Sequence, residues 1–187
     1  MPTTAEKRRT FRELHESGCF VIPNPWDVGS TRFLQHLGFS ALATTSAGAA
    51  FTMARPDGGV PRAMMLDHIR SVVEATDLPV NADFENGHAS DAIGVAESVR
   101  LCVETGVAGL SIEDSTGDRE NPLFEIEVAV ERIRAARKSI DEAGGSVLLT
   151  GRAECFVVGR PDLDDAITRL KAYSEAGADC LYAPGIR

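Results

Sequence analysis

One recurring pattern constrains this chain more than any other feature. A glycine closes a helical stretch, a short connector follows, and then comes a short apolar run that ends in polar residues. The pattern appears as LGFSALATTS (37–46), TGVAGLSIED (105–114) and AGADCLYAPG (176–185). Gly38, Gly106 and Gly177 suit the left-handed position just past a helix end. Their spacings of 68 and 71 residues correspond to two strand–helix units of roughly 35 residues each. Two further apolar runs, LPVNAD (78–83) and SVLLTGR (146–152), fall near the half-period. CFVIP (19–23) precedes the series as the first of six expected strands.

The segments between these runs have helical period. They span 28–37, 62–76, 88–105, 123–144 and 163–177, and an N-terminal helix is expected over roughly 4–17. In the fourth, Ile126, Val130, Ile133, Ala136 and Ile140 recur every three or four residues and define one apolar face. Strands alternating with helices imply a parallel sheet flanked by helices. An open doubly wound sheet would carry a Gly-rich phosphate turn after its first strand. Here that position reads Pro23-Asn24-Pro25-Trp26-Asp27. The even repeat and the polar strand ends favour a (β/α)8 TIM-type barrel, α/β in class, as one domain over 1–187. Six strands are two short of closure and leave open edges. About two more βα units are therefore expected outside this sequence, at roughly 35 residues each.

Composition excludes some functions. Lys and Arg total 19 against 28 Asp and Glu, a net charge of −9, which argues against a nucleic-acid surface. No run approaches the length of a membrane span. The basic N-terminus is not followed by an apolar stretch, so no secretory signal is expected. Cys19, Cys102, Cys155 and Cys180 form no C-x-x-C pair. They read as reduced thiols, three of them core residues, in a cytoplasmic protein.

In parallel barrels the chemistry sits where the strands end. Those ends carry Asn24 and Asp27; Thr44, Thr45 and Ser46, then Arg55 and Asp57; Asn81, Asp83 and Glu85; Glu113 and Asp114; Arg152 and Glu154; and Tyr182. Asn81 and Asp83, two apart, share a strand face. Acids gathered in one pocket need a shared cation. Asp83, Glu113 and Asp57, all oxygen donors, suit Mg2+, with Mn2+ as the alternative. Taken singly, each acid could instead be a solvated loop residue or a helix N-cap. Arg152 closes an apolar strand and needs an anion, either a ligand carboxylate or phosphate or a salt bridge to Glu154 or Glu113. The turn Thr44–Gly48 offers N–H groups to an anion or serves as an ordinary turn. His88 reads first as a solvated loop histidine and second as a general base. Lys7, Lys138 and Lys171 all fall on expected helices, which leaves no strand-end lysine for a Schiff base.

The series PNPWDVGSTRFLQHLGFSALATTSAG, LPVNADFENG, GLSIEDSTG, LLTGRAE and AGADCLYAPG resembles the isocitrate lyase / phosphoenolpyruvate mutase superfamily. The resemblance runs over essentially the whole chain and lies closer to the mutase and oxo-acid-lyase members. It implies a Mg2+-dependent lyase or mutase that acts on the C–C or P–C bond beside the carbonyl of a small 2-oxo acid, through an enolate. It also implies a homo-oligomer, commonly a tetramer, for the full-length protein. By the same resemblance Asp83, Glu113, Asp57 and Asn81 belong to the metal shell. Thr45, Ser46, Ala47, Arg152 and, loosely, Asn121 bind substrate, while Asp57, Arg152 and Glu113 are catalytic. Two departures stand out. Asn81 replaces the first acid of a D-x-D pair and offers a carbonyl oxygen without charge, which lowers the expected metal affinity. The loop Ser115–Asn121 lacks the cysteine of the isocitrate and methylisocitrate lyases, which argues against isocitrate cleavage. The competing readings are a non-catalytic relative that binds an oxo acid and a different barrel enzyme acting on a phosphorylated ligand.

Overall fold

Most helices begin at a side chain able to cap them. Thr3, Asp27, Thr45, Asp91 and Asp162 each accept a hydrogen bond from a first-turn N–H, which satisfies one of the donors a helix start leaves free. Asp27, one of the strand-end acids, is therefore the N-cap of a helix. The helices are α1 (Thr4–Glu16), α2 (Val28–His36), α3 (Ser46–Thr52), α4 (Arg62–Glu74), α5 (Ala92–Val103), α6 (Ile126–Glu142) and α7 (Leu163–Glu175). The strands are β1 (Leu42–Ala43), β2 (Val80–Asp83), β3 (Gly109–Glu113), β4 (Leu148–Arg152) and β5 (Cys180–Tyr182). This computed structural model describes residues 2–186; Met1 and Arg187, the ends of the expected domain, lie outside them. Gly38, Gly106 and Gly177 have φ of 86°, 91° and 105°, the left-handed geometry expected past a helix end.

The five strands are parallel and lie in sequence order, β1-β2-β3-β4-β5. A doubly wound sheet would reverse that order partway, so the architecture is a partial TIM-like barrel with helices outside. Two expectations are corrected. Residues 19–23 form no strand. They run beside β1 with one ladder bond, Ala43 N–H to the Pro23 carbonyl at 3.1 Å, and Pro23 and Pro25 have no N–H to extend it. The small residues after Thr45, expected as a turn, instead form α3.

The outward strand residues Val80, Ala82, Leu110, Ile112 and Leu149 join Ile69, Val99, Ile133 and Ile140 of the helices in the main core. A second cluster floors the barrel, where Phe11 of α1 meets Ala41, Ala108 and Leu148. A Cβ at Gly109 would lie 2.6 Å from both Phe11 and Asn81, so the plug requires glycine there. Lys7 Nζ donates to the carbonyls of Val73 (3.2 Å) and Thr76 (2.5 Å), and Arg8 to those of Val103 and Val107 (both 2.9 Å). The basic N-terminus thus satisfies carbonyls left over at the ends of α4 and α5. All four cysteines are free: Cys102 and Cys155 are buried, Cys180 is half-buried and Cys19 is exposed. Among the described residues no helix is long and apolar enough to cross a membrane. With one end of the barrel plugged, polar chemistry is left to the other.

Candidate active site

Parallel register aligns Asp83 with Ser111, Thr150 and Cys180, and Glu113 with Arg152 and Tyr182 one step nearer the open end. On β2 the buried residues Val80 and Ala82 alternate with the half-buried Asn81 and Asp83, as the two-residue period requires. A cavity of about 310 Å3 opens here, lined among others by Thr45, Ser46, Ala47, Asn81, Asp83 and Arg152. A neighbouring cavity of about 400 Å3 shares Ser46, Asp57 and Arg152 with it and adds Glu85, His88, Glu113 and Glu154.

Asp83 is held from three sides. Its Oδ2 accepts from Ser46 N (2.9 Å) and Ser46 Oγ (2.8 Å), and its own N–H donates to Thr44 Oγ1 at 2.9 Å. Arg152 Nη1 lies 3.2 Å from Asp83 Oδ1 and 3.5 Å from Glu113 Oε2, while Arg152 Nε donates to Glu154. The salt bridges anticipated as one option for Arg152 are therefore formed, with Asp83 as a third partner. Tyr182 presents its ring 5.6 Å from the guanidinium. The Thr45 hydroxyl accepts from Gly48 N–H at 3.1 Å as the cap of α3.

The charges are crowded. Burial pushes Glu113 up to about 8, with Arg152 opposing and Glu154, Asp83 and Glu85 reinforcing. Burial, then Asp83 and Asp57, pushes Glu85 up to about 7. Glu154 is raised as well, chiefly by burial. Burial alone would lower Arg152, but Glu113, Asp83 and Glu154 outweigh it and strengthen its hold on the proton.

These residues fit a hard divalent cation. The donors are oxygens, the carboxylates repel one another, and the buried Glu85 Oε1 has no hydrogen-bond partner. Among the described residues no three Asp, Glu, His or Cys side chains close into a cage. Mg2+ does not need one, because it takes one or two carboxylates and fills its shell with water and substrate.

The sequence-derived residues are distributed unevenly. Asp57 is exposed on the loop after α3 and borders both cavities. Asn81 lines the first cavity, whereas Glu113 lines the second. Asn121 is exposed in the loop closed by the Ser115–Leu123 bridge, its carbonyl accepting from Thr116 Oγ1, and lines neither cavity. His88 is not solvated: its side chain is 8% exposed and meets the Phe84 ring edge-on at 5.0 Å.

Two groups support the site from behind: Asp114, read from the sequence only as a strand-end acid, and Arg132, which the sequence reading missed. Asp114 is buried and accepts from Tyr173 Oη (2.6 Å), Arg169 Nη1 (3.3 Å) and Glu154 N (2.8 Å). Arg132 of α6 is buried, with Nη2 donating to the carbonyls of Asn86 (2.6 Å) and Ala89 (2.8 Å) and its guanidinium 4.3 Å from the Phe124 ring centre. The available signal was its position, three residues after Ala129 and four before Ala136 on the core face of the helix. It anchors a loop in which Glu85 and His88 have φ of 49° and 50°, a conformation costing on the order of 1 kcal/mol or more per residue.

Comparison with known proteins agrees with this architecture. The pattern of the phosphoenolpyruvate phosphomutase family matches residues 11–187. A provisionally assigned lyase/mutase of Burkholderia cenocepacia J2315 superposes with a TM-score of 0.96 at 50% identity, over 98% of this chain and 67% of that one. Oxaloacetate acetylhydrolase, solved with its product oxalate, gives a TM-score of 0.87 at 26% identity, over 99% of this chain and 64% of that one. The 2-methylisocitrate lyase of Escherichia coli K12 is 32% identical over 160 residues, 81% of this chain and 53% of that protein. The chain thus spans little more than half the length of that curated relative. The strand order, the polar mouth and these matches lead to one assignment: the chain belongs to the isocitrate lyase / phosphoenolpyruvate mutase superfamily.

Proposed function

We propose that this chain carries the substrate mouth of a Mg2+-dependent lyase- or mutase-type enzyme. In this reading it breaks or rearranges the C–C or P–C bond beside the carbonyl of a small 2-oxo acid, through an enolate. The observation that carries the reading is the meeting of Arg152 and Ser46 on one carboxylate, Asp83, at the barrel mouth. A guanidinium and an N–H/O–H pair that gather one carboxylate beside a shared cavity are groups of the kind a 2-oxo acid needs. The oxalate held by oxaloacetate acetylhydrolase is a ligand of that class.

Asp83, Glu113 and Asp57 would hold the cation, with the neutral oxygen of Asn81 nearby. When bound, Mg2+ supplies Lewis-acid polarisation of substrate oxygens. Arg152 binds a carboxylate through its planar fork. Ser46, with Thr45 and Ala47 beside it, orients the substrate oxygens and stabilises charge developing on the carbonyl. Asp57, at the solvent edge, moves a proton or orients water; Asn121, outside both cavities, has only its loose family match to support a substrate contact. Homo-oligomeric assembly of the full-length protein belongs to the same proposal.

The test combines melting curves with turnover assays. Oxalate is expected to raise the melting temperature only with Mg2+ present, and Asp83→Ala to abolish the effect. Oxaloacetate, a methylisocitrate-type acid and phosphonopyruvate form the substrate panel. Turnover indifferent to chelation or to Asp83→Ala would sink the metal role. Asn81, where an acid is expected, favours a second reading as an oxo-acid binder without catalysis; oxalate binding with no turnover of any panel member would support it.

A further inference from the structure

The two cavities at the barrel mouth are lopsided in charge. Among the described residues that line them, Arg152 is the one permanent cation, against the carboxylates of Asp57, Asp83, Glu85, Glu113 and Glu154. Its guanidinium already faces three of these. Arg55, Arg119 and Arg160 are exposed on neighbouring loops and line neither cavity. A ligand that meets Arg152 with one carboxylate therefore finds no second basic side chain for another. A charged tail entering the larger cavity would sit among carboxylates without a partner, and such like-charge contacts and unpaired buried charges are costly.

The larger cavity also has an apolar edge. Val157 and Val158, on the turn after β4, line it with Thr116 and Gly117 of the loop after β3. Val157 is 56% exposed, yet it is firmly held. The N–H groups of Val157 and Val158 donate to the Glu154 carbonyl (2.9 and 3.0 Å), and Glu154 N donates to the buried Asp114 carboxylate (2.8 Å). The turn thus continues from the strand end that carries Arg152, and it offers apolar surface to an alkyl group. We propose that the site takes a monocarboxylate: a 2-oxo acid whose head meets Arg152 and Ser46 and whose tail is uncharged and aliphatic, seated on Val157 and Val158. The proposal rests on the 2-oxo-acid reading above and narrows it, because a second carboxylate or a phosphonate on the tail counts against binding. Oxaloacetate and phosphonopyruvate are then the weaker ligands of their class.

The experiment is calorimetric titration of the full chain, in MgCl2, with two stable oxamates that share a head and differ only in the tail. N-oxalylglycine ends in a carboxylate, and N-isobutyloxamate carries an isopropyl group of the same shape in its place. Oxalate, which has the head alone, is the control. Wild type is expected to bind N-isobutyloxamate about ten-fold or more tightly than N-oxalylglycine, the scale of a like-charge contact. Val157→Ser is expected to weaken N-isobutyloxamate by about three-fold or more, as lost apolar contact does, and to leave oxalate unchanged. Val157→Arg supplies a second guanidinium at the rim and is expected to erase or reverse the preference. Melting curves without ligand verify that both variants fold. Equal affinities in wild type, or a preference for N-oxalylglycine, overturn the proposal, and so does a preference that neither Val157 variant moves. Oxalate binding with neither oxamate bound overturns it while leaving the 2-oxo-acid reading standing. Failure of all three ligands to bind removes both.

Discussion

Arg152 Nη1 lies 3.2 Å from Asp83 Oδ1, although 69 residues separate the two in sequence. The candidate anion binder and the candidate metal acid are thus bonded to each other, and Glu113 and Glu154 share the same guanidinium. Removing the cation would leave three carboxylates without a counter-charge. Arg152→Met is expected to destabilise the protein by about 3 kcal/mol in urea unfolding, the scale of breaking a buried pair. Arg152→Lys is expected to recover part of that stability without recovering oxalate binding, because lysine lacks the fork.

Stability should depend on pH in a definite direction. Glu113 and Glu85 hold their protons more tightly in the folded state, at about 8 and about 7 against 4.5 ordinarily. Between those values the unfolded chain carries fewer protons than the native one, so stability falls as pH rises and levels off above about 8. The metal-free melting temperature is expected to drop from pH 5 to pH 8, and Glu113→Gln to flatten the slope. A melting temperature that climbs over this window would contradict the assignment.

The Tyr173 hydroxyl and Asp114 support the site without facing it. Tyr173→Phe removes the 2.6 Å bond to a buried carboxylate and is expected to cost roughly 1–2 kcal/mol. Oxalate affinity should stay within about two-fold of wild type, a difference of under 0.5 kcal/mol by the usual conversion.

Arg132→Met would strip two carbonyls of their donor. The expected loss is about 2 kcal/mol, and hydrogen exchange should accelerate across residues 85–89. Unchanged exchange in that loop would show that Arg132 does not hold it.

Local physics explains how much of the fold was legible in sequence. Capping residues, the glycines past helix ends and the period of the apolar runs act over a few residues, so six of the seven helices and five of the six expected strands could be read directly. The sixth, 19–23, failed because its apolar composition said nothing about whether a neighbour would pair with it. The turn after Thr45 failed because small residues are compatible with either a turn or a short helix.

The site divides along the same line. By itself the sequence determined which polar residues end each strand, since the two-residue period and the alternation of strand and helix set that order. Only the tertiary structure decided that Arg152 meets Asp83, that His88 is buried rather than solvated, and that Glu85 joins the acids while Asn121 stays outside the cavities. Charge pairing and desolvation depend on which strands lie side by side and how their loops fold over the mouth. These are long-range relationships that no local pattern in the chain contains.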